Sequence, residues 1–274
     1  MTQLKSNTNP LKIAIIGSRG YPYVYSGYET LIRELSERLV EKGCEVTVYC
    51  HRSLFKEKPA HVNGIKLVYM PTIETKSLSQ FIHSFLSMCH AVVSDADVVF
   101  AVNAANGPFG LISKIFRKPT AINVDGLEWL RPKWKGLGAR YFKIAAWLST
   151  ILFDQIINDS EEMRKVYLNI FKKESVVIAY GATIKKPEDP SLIHQWLIAP
   201  KEYYLVVGRM IPDNNADIIV KGFLASNSTK KMVVVGDVFY KDKYADDLKA
   251  IKDERLIFTG YVNEPEVLAA LYHH

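Results

Sequence analysis

Short apolar runs and helical patterns alternate along almost the whole chain, the arrangement of a parallel α/β sheet. Ile13–Ile16 predicts a buried strand, and the Leu31, Leu35, Leu39 spacing a helix. Strands follow at 45–49 and 65–69, then a helix over 78–93, a strand at 97–102 and a small-residue loop at 103–106. A helix over 109–116 leads to a strand at 120–124 and a long basic-aromatic segment. A strand at 155–157, a helix from Ser160 and a strand at 175–179 complete the first run. The polar stretch Lys185-Lys186-Pro187-Glu188-Asp189-Pro190 reads as a linker. A second run has strands at 203–207, 232–235 and 256–258, and helices over 216–224, near 244–251 and from Glu264. Three strands fall short of a complete doubly wound domain, so this domain is expected to be incomplete. The boundaries that follow are 1–180, a linker 181–200, and 201–274.

Composition changes this picture little. The 274 residues are 48% hydrophobic and 23% charged, as in globular proteins. A net charge of +6 suits anionic partners or simple solubility. Three cysteines without a C-x-x-C pair argue against a disulfide framework and fit a reducing cytoplasm. The first residues lack a signal-peptide core, and no apolar run reaches spanning length. The histidines show no metal-ligand spacing beyond an adjacent terminal pair, and there is no Asp-x-Asp, so no metal or other cofactor is expected. The basic residues form no recognised nucleic-acid motif, and nucleic acid is not expected as a partner.

The chemistry begins at the first strand. Gly17, Gly20 and Gly27 lie between that strand and a helix N-terminus, a phosphate-cradle arrangement. Their spacing is not G-x-G-x-x-G, and the second strand ends Tyr49-Cys50-His51-Arg52 without a ribose-binding acid, which disfavours a dinucleotide oxidoreductase.

The segments Ile16–Pro22, Ser26–Thr30, Asn123–Trp129, Arg131–Trp134, Asn158–Ser160, Ala179–Ala182 and Val207–Asn215, in this order, resemble bacterial retaining GT-B glycosyltransferases. Within that class they are similar to the rhamnosyltransferase-like branch of capsule and O-antigen assembly. The resemblance implies an α/β, GT-B-like fold, two Rossmann-like domains facing a cleft, the second incomplete. It places Gly17, Gly20 and Gly27 against a sugar diphosphate and makes Glu29 the glutamate of a Gly-x-Glu element, though a helix-capping role fits Glu29 equally. It makes Asp125 an acceptor of a sugar hydroxyl and gives Glu128, Arg131 and Lys133 an acceptor-side loop. Arg209 is the expected diphosphate-binding arginine; five positions later Asn214 stands where many relatives have lysine, in a Pro-x-Asn-Asn pattern typical of the branch. The E-x7-E donor-binding element would lie beyond Tyr272, so either a fragment or a natural truncation is expected.

The leading functional expectation is a hexosyltransferase-type enzyme that moves a sugar from a nucleotide diphosphate-sugar, dTDP-rhamnose or a UDP-sugar, to a lipid-linked glycan at the cytoplasmic membrane face. A sugar-nucleotide 2-epimerase and a non-catalytic truncated GT-B binding protein are the alternatives. Peripheral membrane contact is expected through 127–153, anchored by the loop carrying Arg131, Lys133 and Lys135, while Ile144, Ala145, Leu148 and Leu152 bury one face of the following helix.

Overall fold

A computed structural model of the chain describes residues 9–22, 27–73, 78–131, 134–238 and 242–274. It divides into two compact units, Met1–Tyr180 and Gly181–His274. In the first, β1 (Lys12–Ile16) is followed by α1 (Gly27–Glu41), β2 (Glu45–His51), β3 (His61–Val62), β4 (Ile65–Met70), α2 (Leu78–Val93) and β5 (Val98–Val102). A 3-10 turn (Ala104–Phe109) runs into α3 (Gly110–Ile115); then come β6 (Thr120–Val124), α4 (Leu137–Leu152), β7 (Gln155–Asn158), α5 (Glu161–Phe171) and β8 (Val176–Val177).

The eight strands form one sheet in the order β3-β4-β2-β1-β5-β6-β7-β8. All pairings are parallel except β3 with β4. Strand alternation sends Ile13 and Ile15 into a core under α1 with Ile32, Val46 and Val48, and Ala14 and Ile16 into a second core with Met88, Val99, Ile122 and Ile156. Because β1 has β2 on one side and β5 on the other, the order reverses there. The crevice beyond the carboxyl ends of β1 and β5 is where open α/β sheets bind ligands.

The two-residue strand β3 turns through Asn63-Gly64, both at positive φ, into β4. That is the geometry of a tight hairpin. Two-residue strands therefore end the sheet on both sides.

In the second unit, α6 (Ser191–His194) precedes β9 (Tyr203–Val207), α7 (Ala216–Leu224), β10 (Lys231–Val235), α8 (Lys243–Lys249), β11 (Leu256–Gly260) and α9 (Pro265–His273). Its parallel sheet has the order β11-β10-β9, so Ile13 and Leu205 lie in separate sheets. Met232 and Val234 face α7 and α8, while Val233 and Val235 face α6 and α9. The stretch expected as a linker, 181–200, contributes Ile193 and Ile198 to that second core. It folds in part because its apolar residues are spaced to cover a sheet face that would otherwise meet water.

Candidate functional site

In the first unit the candidate residues gather at the carboxyl ends of the central strands. Gly17 sits just past β1 at φ +96°, and a Cβ there would lie 2.5 Å from the Val102 carbonyl and 2.6 Å from Asn106 Nδ2. The Gly17 carbonyl accepts Gln80 Nε2 of α2 at 3.1 Å. Gly20 packs onto Cys50, whose Sγ would be 2.7 Å from an added Cβ. The fold's own packing therefore requires both glycines. Gly27 differs: it starts α1, and nothing lies within 4 Å of where its Cβ would be. Two residues on, Glu29 is buried in the first turn of α1 and accepts the Arg19 N–H at 3.1 Å, tying the helix to the β1 loop.

Asp125 follows β6 directly. The Tyr28 hydroxyl donates to its Oδ1, and the Tyr180 hydroxyl reaches Oδ2 at 3.4 Å and Asn123 Oδ1 at 2.9 Å. Burial holds the Asp125 carboxyl above its ordinary value; the Tyr28 bond pulls the other way, and the charges of Asp159 and Glu128 add to burial. Burial and then the Asp125 charge push Tyr28 well above the usual phenol range, so it stays a neutral donor. Tyr180 is raised for the same two reasons. The arrangement is a partly buried carboxylate with a phenol at each oxygen, each oxygen keeping a further lone pair.

The neighbouring 3-10 turn Glu128–Leu130 brings Glu128 against Arg131, Oε1 to Nε 2.9 Å, and its Oε2 accepts Trp134 Nε1 at 3.1 Å. Glu128 and Arg131 are thus committed to each other, and the loop is braced rather than displayed. Lys133 lies outside the described residues.

Sequence reasoning left three features unassigned. Tyr28 and Tyr180 stood in quoted motifs without a role, because only the fold brings residues 28, 125 and 180 together. Asn103, at the end of β5, has φ 77° and ψ 127°, a conformation most side chains avoid. His51 and His83 stack with centroids 3.9 Å apart; burial, and then the His51 charge, lower His83 to about 3. The His51-Arg52 doublet at a strand end was visible, but no sequence signal pairs it with a residue on α2.

In the second unit Arg209 follows β9 and is exposed, and its side chain makes no hydrogen bond or ion pair among the described residues. It borders a pocket of about 270 Å³ lined by residues including Gly208, Met210, Asn214 and Ala216. Asn214 Nδ2 donates to the Arg209 carbonyl at 2.8 Å, holding the loop that leads to the α7 N-terminus. That amide braces the arginine's backbone with one N–H, which leaves its second N–H and the Asn214 carbonyl oxygen for other partners. At the end of β10 a Cβ on Gly236 would lie 2.1 Å from the Gly208 carbonyl, so the two strand ends touch through backbone. Asp237, next along, is paired with Lys249 at 2.6 Å. Among the described residues no group of three His, Cys, Asp or Glu side chains is placed to hold a metal, and no helix is long and apolar enough to cross a membrane.

Residues 11–183 match a family described as Domain of unknown function (DUF1972). The chain belongs to the DUF1972 family. This DUF1972 chain is also 34% identical over 61 residues to an uncharacterized 42.6 kDa protein in the cps region of Klebsiella pneumoniae. The matched stretch spans 22% of the chain and only 16% of that relative.

Among solved structures, the DUF1972 chain is similar to sucrose-phosphate synthase from Thermosynechococcus elongatus (TM-score 0.73, 16% identity, 96% of this chain and 73% of that one). It is also similar to Anabaena HepE in complex with UDP and glucose (0.70, 17%, 96% and 72%). A third likeness is to the lipopolysaccharide outer core galactosyltransferase WaaB (0.57, 17%, 93% and 70%). The fold of the DUF1972 chain is therefore GT-B, built from two Rossmann-like units.

Proposed function

We propose that this protein transfers a sugar from a nucleotide diphosphate-sugar to a lipid-linked glycan in surface polysaccharide assembly, with rhamnose as the transferred sugar. The observation that carries the reading is the uncommitted Arg209 guanidinium beside the β9 pocket and the α7 N-terminus, in a chain with the fold of HepE, which was solved with UDP. The cps-region relative supports the polysaccharide setting, and the Pro212-Asp213-Asn214-Asn215 run supports the rhamnosyl branch.

Breaking a glycosidic bond to a diphosphate leaves negative charge on the departing oxygens, and a fixed guanidinium there lowers the barrier. Arg209 takes that role, the first amides of α7 add positive potential, and Asn214 fixes the loop that aims both. Gly27 gives backbone access at the start of α1, while Gly17, Gly20 and Glu29 hold the β1 loop in shape behind it. Asp125 accepts a sugar hydroxyl, oriented by Tyr28 and Tyr180. Glu128 and Arg131, with Lys133, border the acceptor side. These positive groups do the electrostatic work, so the reading calls on no metal.

Titration calorimetry with UDP and dTDP tests it. Arg209→Ala should weaken diphosphate binding on the order of tenfold to a hundredfold, the worth of a charged hydrogen bond. Unchanged affinity would remove Arg209 from the site. Formation of an epimer from the donor, rather than a glycosylated acceptor, would replace the transferase reading by the epimerase one.

A further inference from the structure

Helix α4 is built the wrong way round for a helix that only covers a sheet. Its buried side consists of Ala145, Ala146, Ser149 and Thr150. Three of its large apolar side chains point outward, while Leu148 and Leu152 are partly buried: Ile144 is 54% exposed, Trp147 49% and Ile151 50%. These three stand at i, i+3 and i+7 and form one stripe. The expectation that Ile144 is buried against the sheet is thus corrected. The reason is the 3-10 turn beneath, where a Cβ on Gly107 would fall 1.9 Å from the Ala145 carbonyl, so only small residues fit on that side.

The exposed stripe does not stand alone. Helix α3 lies along the end of α4, with Gly110 against Leu152 and Lys114 Nζ 2.6 Å from Asp154. It adds Leu111 and Ile115, one turn apart and both more than half exposed. On α2, Phe81 and Phe85 pack on Phe109, just ahead of α3, and remain partly exposed themselves. Three adjacent helices of the first unit thus share an apolar outer surface, larger than scattered exposed residues produce.

Charge says what covers it. No Asp or Glu occurs between Asp97 and Asp125, or between Glu128 and Asp154. Arg117, Arg140 and Lys143 are exposed, and no hydrogen bond or ion pair is made by their side chains among the described residues. Arg140, Lys143, Trp147 and Ile151 share the outer stripe of α4. Apolar residues and a tryptophan flanked by cations, with the bordering Asp154 carboxylate already paired with Lys114, are the chemistry of a helix lying in the headgroup region of an anionic bilayer. A second copy of the same face would bring like charges together across a two-fold axis, which disfavours self-pairing.

We propose that the α3–α4 face of the first unit seats on an anionic lipid surface. The helices, not the preceding loop at 131–135, form the anchor. This goes beyond the transferase reading and is measured without donor or acceptor, so failure of one leaves the other standing.

The full chain is mixed with vesicles of phosphatidylcholine alone or containing phosphatidylglycerol, and binding is read by co-sedimentation and tryptophan emission. Binding should require phosphatidylglycerol and shift the emission to the blue, and Trp147→Phe should remove most of that shift. Arg140→Ser with Lys143→Ser should weaken binding by roughly fivefold per residue, the usual worth of a cation at such a surface. Ile144→Ser with Ile151→Ser should abolish what survives at high salt. All these side chains are exposed, so the variants keep their fold, which circular dichroism verifies. No binding to phosphatidylglycerol vesicles would overturn the proposal, as would binding that both double variants leave unchanged. A dimer in sedimentation equilibrium that Ile144→Ser dissolves would overturn it too, by assigning the face to a second copy.

Discussion

Asp125 sits where ionisation is opposed by burial and by two further carboxylates, and is helped chiefly by one phenol. A raised native carboxyl favours folding fully below the ordinary value of 3.8, and that gain is lost as pH rises through the native value. Asp125→Asn stays neutral at every pH and can still accept from Tyr28. Its melting temperature should exceed that of the parent near about pH 7 and converge with it near about pH 3. Transfer should fall on the order of tenfold to a hundredfold with the charge gone. Equal melting temperatures at neutral pH would show that the carboxylate is not held at a cost. At this scale the sequence made Asp125 legible, since a strand end before a glycine faces the ligand crevice of an α/β sheet. Its two tyrosine partners were not, because three segments up to 152 positions apart meet only in the folded sheet. Asn214 also braces the Arg209 carbonyl through its amide, a bond that residue type alone does not reveal.

Among elements, the long periodic segments were the most legible: Leu78–Val93, Thr120–Val124 and Ala216–Leu224 fold over the residues their patterns indicate. Strand β3 escaped notice because two residues carry no periodicity, although Asn63-Gly64 is a hairpin signal. The orientation of α4 escaped for another reason. Counting hydrophobic residues ignores their size, and what faces inward here is set by the space above Gly107. Gly107→Ala should therefore act on the whole helix: a Cβ 1.9 Å from a backbone carbonyl cannot be relieved by a side-chain turn. Urea denaturation should show a loss of about 3 kcal/mol or more. A loss below about 1 kcal/mol would mean that α4 shifts freely on its support.

For the molecule as a whole, each unit encloses its own apolar clusters, and the second depends on residues that looked like connector. Ile193 is fully buried with Val233, Val235 and Leu271. Ile193→Ala should cost about 2–5 kcal/mol, read through Trp196, the one tryptophan of four that lies in Gly181–His274. An unmoved Trp196 transition would return 181–200 to the status of a tether. The first unit carries a different consequence in its margins. Two-residue strands close its eight-stranded sheet on both sides, one of them folded back by a hairpin. So short a margin, turned back over the start of β4, interrupts the ladder an incoming strand would copy, which disfavours fibrillar, edge-to-edge aggregation. Crowded copies of the first unit then meet helix faces of like charge and a sheet margin that offers little template.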